Sequence, residues 1–365
     1  MWREVGRNLA TGTTRAVTFG VCLAVIVGAL CLAELGTLRD ILHSERDYRA
    51  SGADITILTA SGRIDGKACD QLVDAPGVIA AGAIRETRTR LSPTVLPDAP
   101  LPISDISSGF RALVEAPSGN GIALGPEAQQ ALGARSGARV ATATGPVTVA
   151  GSYSYPDDGR RGGLRYAALA PSTSSVPFDE CWVRQWPQSD EVNSLLLLSM
   201  IPQVQRTSGS SADMSTTGDA EDTQPPSFSQ LNSAPGTRFG GLASFESRAT
   251  KWSSLVAGIA ALGLAYVSIR LRRLPFASAL HAGVARSDLV LMALAETGVW
   301  VAGGLIIASP AAAITAAGTA PPDGVAMLAL GGAIAVAAGV GGLLGAFVAA
   351  TGTRERHLFC YFTDR

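Results

Sequence analysis

Hydrophobic positions along the chain gather into four long runs separated by polar stretches of very unequal length. The first, Ala16 to Ala33, reaches about 20 residues with Glu34 and Leu35 included, enough to cross a hydrocarbon core of about 30 Å. The second runs from Trp252 to Ile269, and the third from Leu289 to Ser309, where Pro310 is expected to stop it. The fourth runs from about Val325 to Ala350. Each reads as a membrane-spanning helix. A cleaved signal peptide is the rival reading of the first run. No small-x-small site precedes a plausible mature start, however, and the run exceeds the usual core of about 7–15 residues.

Between the first and second runs the pattern changes. Asp54–Thr59 alternates like a strand, and Gly77–Ala83 is a second candidate. Gly121–Ser154 reads as a short strand, a helix of about eight residues capped at Gly133, a turn at Ser136-Gly137 and two β-rich segments around Thr144-Gly145-Pro146. Leu195–Leu198 is too short to span a bilayer and reads as a buried strand. From Gln203 to about Gly241, Ser, Thr, Gly, Pro, Asp and Gln dominate. Such a segment buries too little apolar surface to offset its ordering, so a flexible linker is expected.

The expected fold is therefore a multi-pass α-helical membrane protein with four transmembrane helices. A mixed α/β extracytoplasmic domain is inserted between helices 1 and 2. In order, the parts are an N-terminal segment (1–15), the first span (16–37), the α/β domain (38–202), a linker and stalk (203–250) and the second span (251–270). A connector (271–287), the third span (288–309), a short outer loop (310–324), the fourth span (325–350) and a tail (351–365) follow.

Composition agrees with this class. Of 365 residues, 47% are apolar and only 16% charged, where a soluble chain carries about a quarter charged residues. A net charge of −1 gives no reason to expect nucleic acid as a partner. The placement of charge sets orientation. Residues 1–15 net +2, the Arg270–Asp288 connector +3 and the tail after Ala350 +1, whereas Pro310–Gly324 holds only Asp323. Lys and Arg are retained inside during insertion, so both termini and the connector are expected in the cytoplasm and the large domain outside the cell membrane.

Topology also sorts the cysteines. Cys22 and Cys31 fall in the first span and Cys360 in the tail, leaving Cys69 and Cys181 in an oxidising compartment where disulfides persist. A Cys69–Cys181 bridge is expected, with two buried free thiols as the alternative.

No catalytic constellation emerges. The chain has no H-E-x-x-H, G-x-S-x-G or C-x-x-C, and Gly66-Lys67-Ala68 lacks the upstream glycine and hydroxyl of a phosphate-binding loop. His43, His281 and His357 sit beside different spans, and no metal site is expected from them. Glu296 lies eight residues past Asp288, about 12 Å along a helix and near mid-membrane. An intramembrane acid is a functional candidate, and a polar contact between helices or protomers is the simpler account of this one. Glu34 is expected near the outer interface and solvated. Gly341 and Gly345 have the spacing of a small-xxx-small packing motif.

The connector carries a family resemblance. Arg272-Arg273-Leu274-Pro275-Phe276-Ala277, then Ala282-Gly283-Val284-Ala285-Arg286, then Leu289 and Glu296, resemble the pattern of FtsX-like/MacB-like ABC transporter permeases. In that pattern a basic run leads into a short coupling helix ending at a small residue and Gly, followed by a span with an acid about two turns in. Ile122–Gly125, Ala131–Gly133, Ser136-Gly137 and Val147–Gly151 resemble that family's extracytoplasmic domain. The order of one span, a large outer domain and three further spans matches as well. Two departures stand out: Pro275 where the family usually has Glu, and Ala285 where a capping Ser is common.

The resemblance implies a non-enzymatic permease subunit working as a homodimer or paired permease in the bilayer. A separate cytoplasmic ABC ATPase would carry ATP and Mg, with no cofactor on this chain. Phe276, Ala277, Ala279, Leu280 and Gly283 are then expected to form the face that docks on the ATPase, with Arg272 and Arg273 at the membrane edge. The family passes ATP-driven motion to the outer domain, for export, extraction or activation of a cell-wall hydrolase. A membrane-anchored sensor with a ligand-binding outer domain is the alternative. It predicts a cytoplasmic output domain, for which the tail is short. A membrane-embedded enzyme using Glu296 or Glu34 would lack a partner residue at useful spacing.

Overall fold

The computed structural model describes residues 6–8, 15–172, 175–202, 225–317 and 323–353. The chain divides into two compact units, one of residues 1–44 and 240–365 and the other of residues 45–239.

Helix α1 (Ala16–Ala50) begins the described core of the first unit, and its last turns pass into the second. At 35 residues it is about 52 Å long, well beyond a hydrocarbon core. The first span was expected to close at residue 37, but the polar stretch after it holds no Gly or Pro before Gly52. The helix therefore continues, with Glu45 and Arg49 paired one turn apart at 3.6 Å. Gly52, at φ +75°, ends this passage in a conformation that favours glycine.

The second unit then follows as β1 (Ile55–Ile64), α2 (Gly66–Gln71), β2 (Val78–Leu91), β3 (Leu101–Ile106), α3 (Phe110–Leu113), β4 (Ile122–Leu124) and α4 (Pro126–Leu132). After these come β5 (Arg139–Thr142), β6 (Gly145–Ser152), β7 (Ala168–Pro171), β8 (Phe178–Gln185), α5 (Glu191–Leu197) and β9 (Ser227–Gln230). The nine strands form one sheet in the order β5-β6-β4-β7-β3-β2-β8-β1-β9. β3 runs parallel to β7 and β4 to β6, and the remaining neighbours are antiparallel.

Central strands bury both faces, as a sheet covered on each side requires. Ile55, Ile57, Ile84 and Trp182 pack with Phe110 on one face, whereas Leu58, Ala83, Cys181 and Val183 pack with Cys69, Val192 and Leu196 on the other. Gly82 makes the first packing possible. A Cβ there would lie 2.2 Å from the Phe110 backbone nitrogen, so only glycine lets α3 settle on β2 and bring the Phe110 ring 5.1 Å from that of Trp182. A disulfide joins Cys69 of α2 to Cys181 of β8 across the opposite face, with Cα atoms 5.9 Å apart. The helix capped at Gly133 is present as α4, with Gly133 left-handed at φ +57°.

Two expectations are overturned in this unit. Leu195–Leu198 is not a strand: it belongs to α5 and the turn after it. Val192 and Leu196, four apart, face the core while Leu197 and Leu198 are exposed, which is helical and not alternating burial. The expected flexible linker does not extend over residues 225–239, and residues 203–224 lie outside the described residues. β9 pairs with β1, Leu231 is buried, and Asn232 donates to the carbonyls of Ser51 (3.2 Å) and Asp158 (2.9 Å). Main-chain pairing and side-chain amides hold a segment that apolar burial alone would not.

The first unit resumes with α6 (Gly241–Ser247), a 3₁₀ turn at Ala249–Trp252, and α7 (Ser253–Arg270). It closes with α8 (Arg273–His281), α9 (Arg286–Ala316) and α10 (Asp323–Thr351). Within the described residues, four helices are long and apolar enough to cross a membrane: α1, α7 with its preceding turn, α9 and α10. α9 runs through Pro310, which was expected to stop it. Proline leaves the Ile306 carbonyl without its backbone donor, and Ser309 Oγ donates to that oxygen at 2.8 Å instead.

Small residues set the helix crossings. A Cβ on Gly341 or Gly345 would lie 2.1 or 2.2 Å from the carbonyl oxygens of Gly258 and Leu262, so α10 rests directly on the α7 backbone. Gly304 of α9 meets the Gly20 carbonyl of α1 in the same way.

Candidate coupling site

The connector between α7 and α9 is built to be stiff. Only Leu271 and Arg272 separate α7 from α8, and their amides still donate to Val267 and Ile269 (3.0 and 2.9 Å). Pro275 falls in the first turn of α8, where the loss of an N–H is tolerated. The helix ends in a Schellman motif. Val284 N–H donates to the Ala279 carbonyl (3.1 Å) and Gly283 N–H to that of Leu280 (3.0 Å), with Gly283 at φ +89°. This accounts for glycine at the end of the coupling pattern. Ala285 then starts α9 without a side-chain cap, and Asp288 supplies the negative charge in its first turn.

Arg272 and Glu296, singled out separately in the sequence, meet here. Arg272 Nη1 donates to Glu296 Oε2, and Asn8 Nδ2 donates to Glu296 Oε1 at 2.8 Å. The Glu296 side chain is 3% exposed and that of Arg272 15%. The Arg272 guanidinium also lies 5.5 Å from the Phe276 ring centroid. Glu296 is therefore a contact between helices within one chain. Both carboxylate oxygens are taken, tying the start of α8 and the N-terminal segment to α9. Asn8 carried no sequence signal.

The expected docking face needs correction. Phe276, Ala277 and Leu280 are buried in the core of their own helical unit, alongside Leu289 and Ala293 of α9, and Ala279 packs partly against it. A helix with apolar residues at i, i+1 and i+4 turns that stripe to whichever apolar surface is nearest, here its own bundle. Pro275, Ser278, His281, Ala282 and Gly283 are the exposed positions. Arg273 is half-buried and engaged in a contact of its own.

Glu34 is likewise not solvated. It is 4% exposed, and its Oε1 accepts from Arg248 Nε at 3.0 Å while Arg248 Nη1 reaches the Phe245 carbonyl at 2.5 Å. The Arg248 guanidinium lies 3.7 Å from the Phe245 ring centroid. Arg272–Glu296 and Arg248–Glu34 are thus buried ion pairs among the described residues of the helical unit.

In the sheet unit, a cavity of about 290 Å³ is lined by Glu86, Arg161, Asp179 and Glu180 among others. Both oxygens of the Glu180 carboxylate are engaged, accepting from Arg161 Nη2 (2.5 Å) and Trp182 Nε1 (2.8 Å). Tyr155 lines the same cavity. Burial pushes its hydroxyl up to about 12, and it donates to the Arg161 carbonyl at 2.6 Å. No group of three or more metal-ligating side chains occurs among the described residues, and His357 and Cys360 lie outside them.

No protein-family model matches the chain, and no curated protein matches it. Among solved structures it is similar to the periplasmic region of MacB from Actinobacillus actinomycetemcomitans, with 12% identity over 41% of this chain and 85% of that one and a TM-score of 0.32. It is also similar to the extracellular domain of the noncanonic ABC-type transporter YknZ from Gram-positive bacteria, with 14% identity over 39% of this chain, 88% of that one and a TM-score of 0.27. Both TM-scores are too low to establish a shared fold.

Proposed function

We propose that this chain is the permease subunit of an ABC transporter, passing the motion of a separate cytoplasmic ATPase to its outer domain. The observation that carries the reading is the connector. A nine-residue helix is joined to α7 by two residues, closed by a Schellman motif and tied to α9 by Arg272 and Glu296. A push on so short and braced an element moves the spans and is not absorbed by a loose loop. The arginine-rich connector and N-terminal segment support a cytoplasmic position for both. The chain itself supplies no hydrolytic chemistry, and ATP and Mg belong to the partner. A second permease copy completes the assembly, and export, extraction and hydrolase activation all use such parts.

The ATPase docks on the exposed side of α8, at Ser278, His281, Ala282 and Gly283. Co-purification of an ABC ATPase with this chain from native membranes tests the placement. S278W and A282R should abolish association without changing elution of the permease. Full recovery of ATPase with both variants would overturn it.

A further inference from the structure

The cavity of about 290 Å³ in the sheet unit is lined by four neighbouring strands, β3, β2, β8 and β1, and by the segment joining β6 to β7. Its donors are already engaged within the wall. Tyr155 Oη donates to the Arg161 carbonyl (2.6 Å), Trp182 Nε1 to Glu180 Oε2 (2.8 Å) and Arg161 Nη2 to Glu180 Oε1 (2.5 Å). The hydroxyls and the remaining carboxylates are not. Ser104 of β3 lines the cavity at 6% exposure, and its hydroxyl has no hydrogen-bond partner among the described residues. Glu86, paired in register with Ser104, lines the same space, is exposed and forms no ion pair among the described residues. Asp179 accepts from the Gly62 N–H through Oδ1 alone (2.8 Å).

A buried hydroxyl without a partner is unfavourable, so Ser104 supplies the demand for a ligand. Glu86, being exposed, needs no partner of its own but sets the sign of charge beside that hydroxyl. A ligand suited to this lining brings donors and positive charge. We infer that the cavity binds a primary alkylammonium group. An ammonium carries three donors and no acceptor, which complements Ser104, Glu86 and the second oxygen of Asp179. Its alkyl stem has apolar wall to lie on in Ile84, Leu164 and Ala167. An anion would meet carboxylates and donors that are already engaged. The volume falls at the lower end of small-molecule sites, about 300–1,000 Å³, and suits an amine on a short stem. Bound there, the amine ties the segment between β6 and β7 to the sheet. The inference needs only the sheet unit and is independent of the proposed function.

Full-length chain in detergent, titrated with 1,5-diaminopentane and followed by hydrogen exchange, tests it. Exchange across residues 155–164 should slow saturably, and 1-pentanol at the same concentrations should leave it unchanged. S104A should raise the half-saturating concentration by on the order of tenfold, as loss of a hydrogen bond to a charged group does. E86Q, at an exposed position, should raise it by about threefold and keeps the test usable if S104A elutes abnormally. Nα-acetyl-lysine methylamide distinguishes the sources of the group. Equal protection by it supports an ammonium borne on a polypeptide side chain, whereas protection by diaminopentane alone supports a free amine. Absence of saturable protection by either amine would overturn the inference. So would equal protection by 1-pentanol, or parent-like binding in normally eluting variants.

Discussion

Replacing Arg272 with leucine should destabilise the helical unit more than replacing Glu296, and replacing both should cost less than either. In R272L the Glu296 carboxylate, 3% exposed, keeps only the Asn8 amide. In E296L the Arg272 guanidinium, 15% exposed, can still turn partly towards water. Removing one partner of a buried pair costs about 3–5 kcal/mol, so R272L belongs at the top of that range and E296L at the bottom. In R272L/E296L both charges are gone and only the Asn8 amide is unpaired, a cost of about 1–3 kcal/mol. The coupling between the two sites is then several kcal/mol and favourable. Unfolding by SDS in mixed micelles, followed by circular dichroism and tryptophan fluorescence, reads these differences as shifts in midpoint. Trp300, 5.9 Å from Phe19 across the α1–α9 contact, reports the same unit. A double variant as unstable as the sum of its singles would refute the pairing.

Three further outcomes follow from the packing. G341L and G345L should disperse the α7–α10 contact, seen as loss of the monodisperse chromatography peak, because backbone oxygens 2.1 and 2.2 Å from the added Cβ cannot yield. G339A, with nothing within 4 Å, should elute unchanged, and equal damage from it would remove the explanation. Asp54 is held above its ordinary value of 3.8 by burial, against the attraction of Arg184 at 3.7 Å. The folded state therefore binds more protons than the unfolded one between 3.8 and the raised value, and stability falls as pH rises through that window. D54N should stabilise the sheet unit at neutral pH and flatten this slope, read by hydrogen exchange at β1 and β8; slower exchange in the parent chain would contradict it. The Cys69–Cys181 link closes 112 residues of separation and stabilises by about 5 kcal/mol in the chain-entropy limit, so C69S/C181S should lose much of the sheet unit's stability. Mass mapping that finds two free thiols in native protein would dispose of the bridge.

The four spans were legible because each is long, apolar and almost uncharged, a pattern that little besides a membrane helix produces. Their ends were not. The expected boundary at residue 37 followed the loss of hydrophobicity, but a helix ends where its backbone is interrupted, and nothing interrupts α1 before Gly52. Pro310 misled for the opposite reason: it is an interruption, repaired by the hydroxyl of the residue before it. Leu195–Leu198 was ambiguous in principle, since four apolar residues fit a strand or one turn of a helix equally well. Composition misjudged residues 225–239 because an edge strand is held by main-chain pairing, to which hydropathy is blind.

At the connector, Arg272 and Glu296 were each singled out but were not paired with one another. Arg272 and Glu296 stand 24 positions apart, and only the tight α7–α8 turn brings them together. A lone acid in an apolar helix does, however, demand a nearby cation. The connector offered few, so this pairing was the one part of the site a stricter charge balance could have found. Phe276, Ala277 and Leu280 pose a deeper problem. An apolar stripe on a short helix states that something apolar covers it, not whether the cover is the same chain or a partner. Here the chain covers it itself, which leaves any docking partner the exposed positions Pro275, Ser278, His281, Ala282 and Gly283.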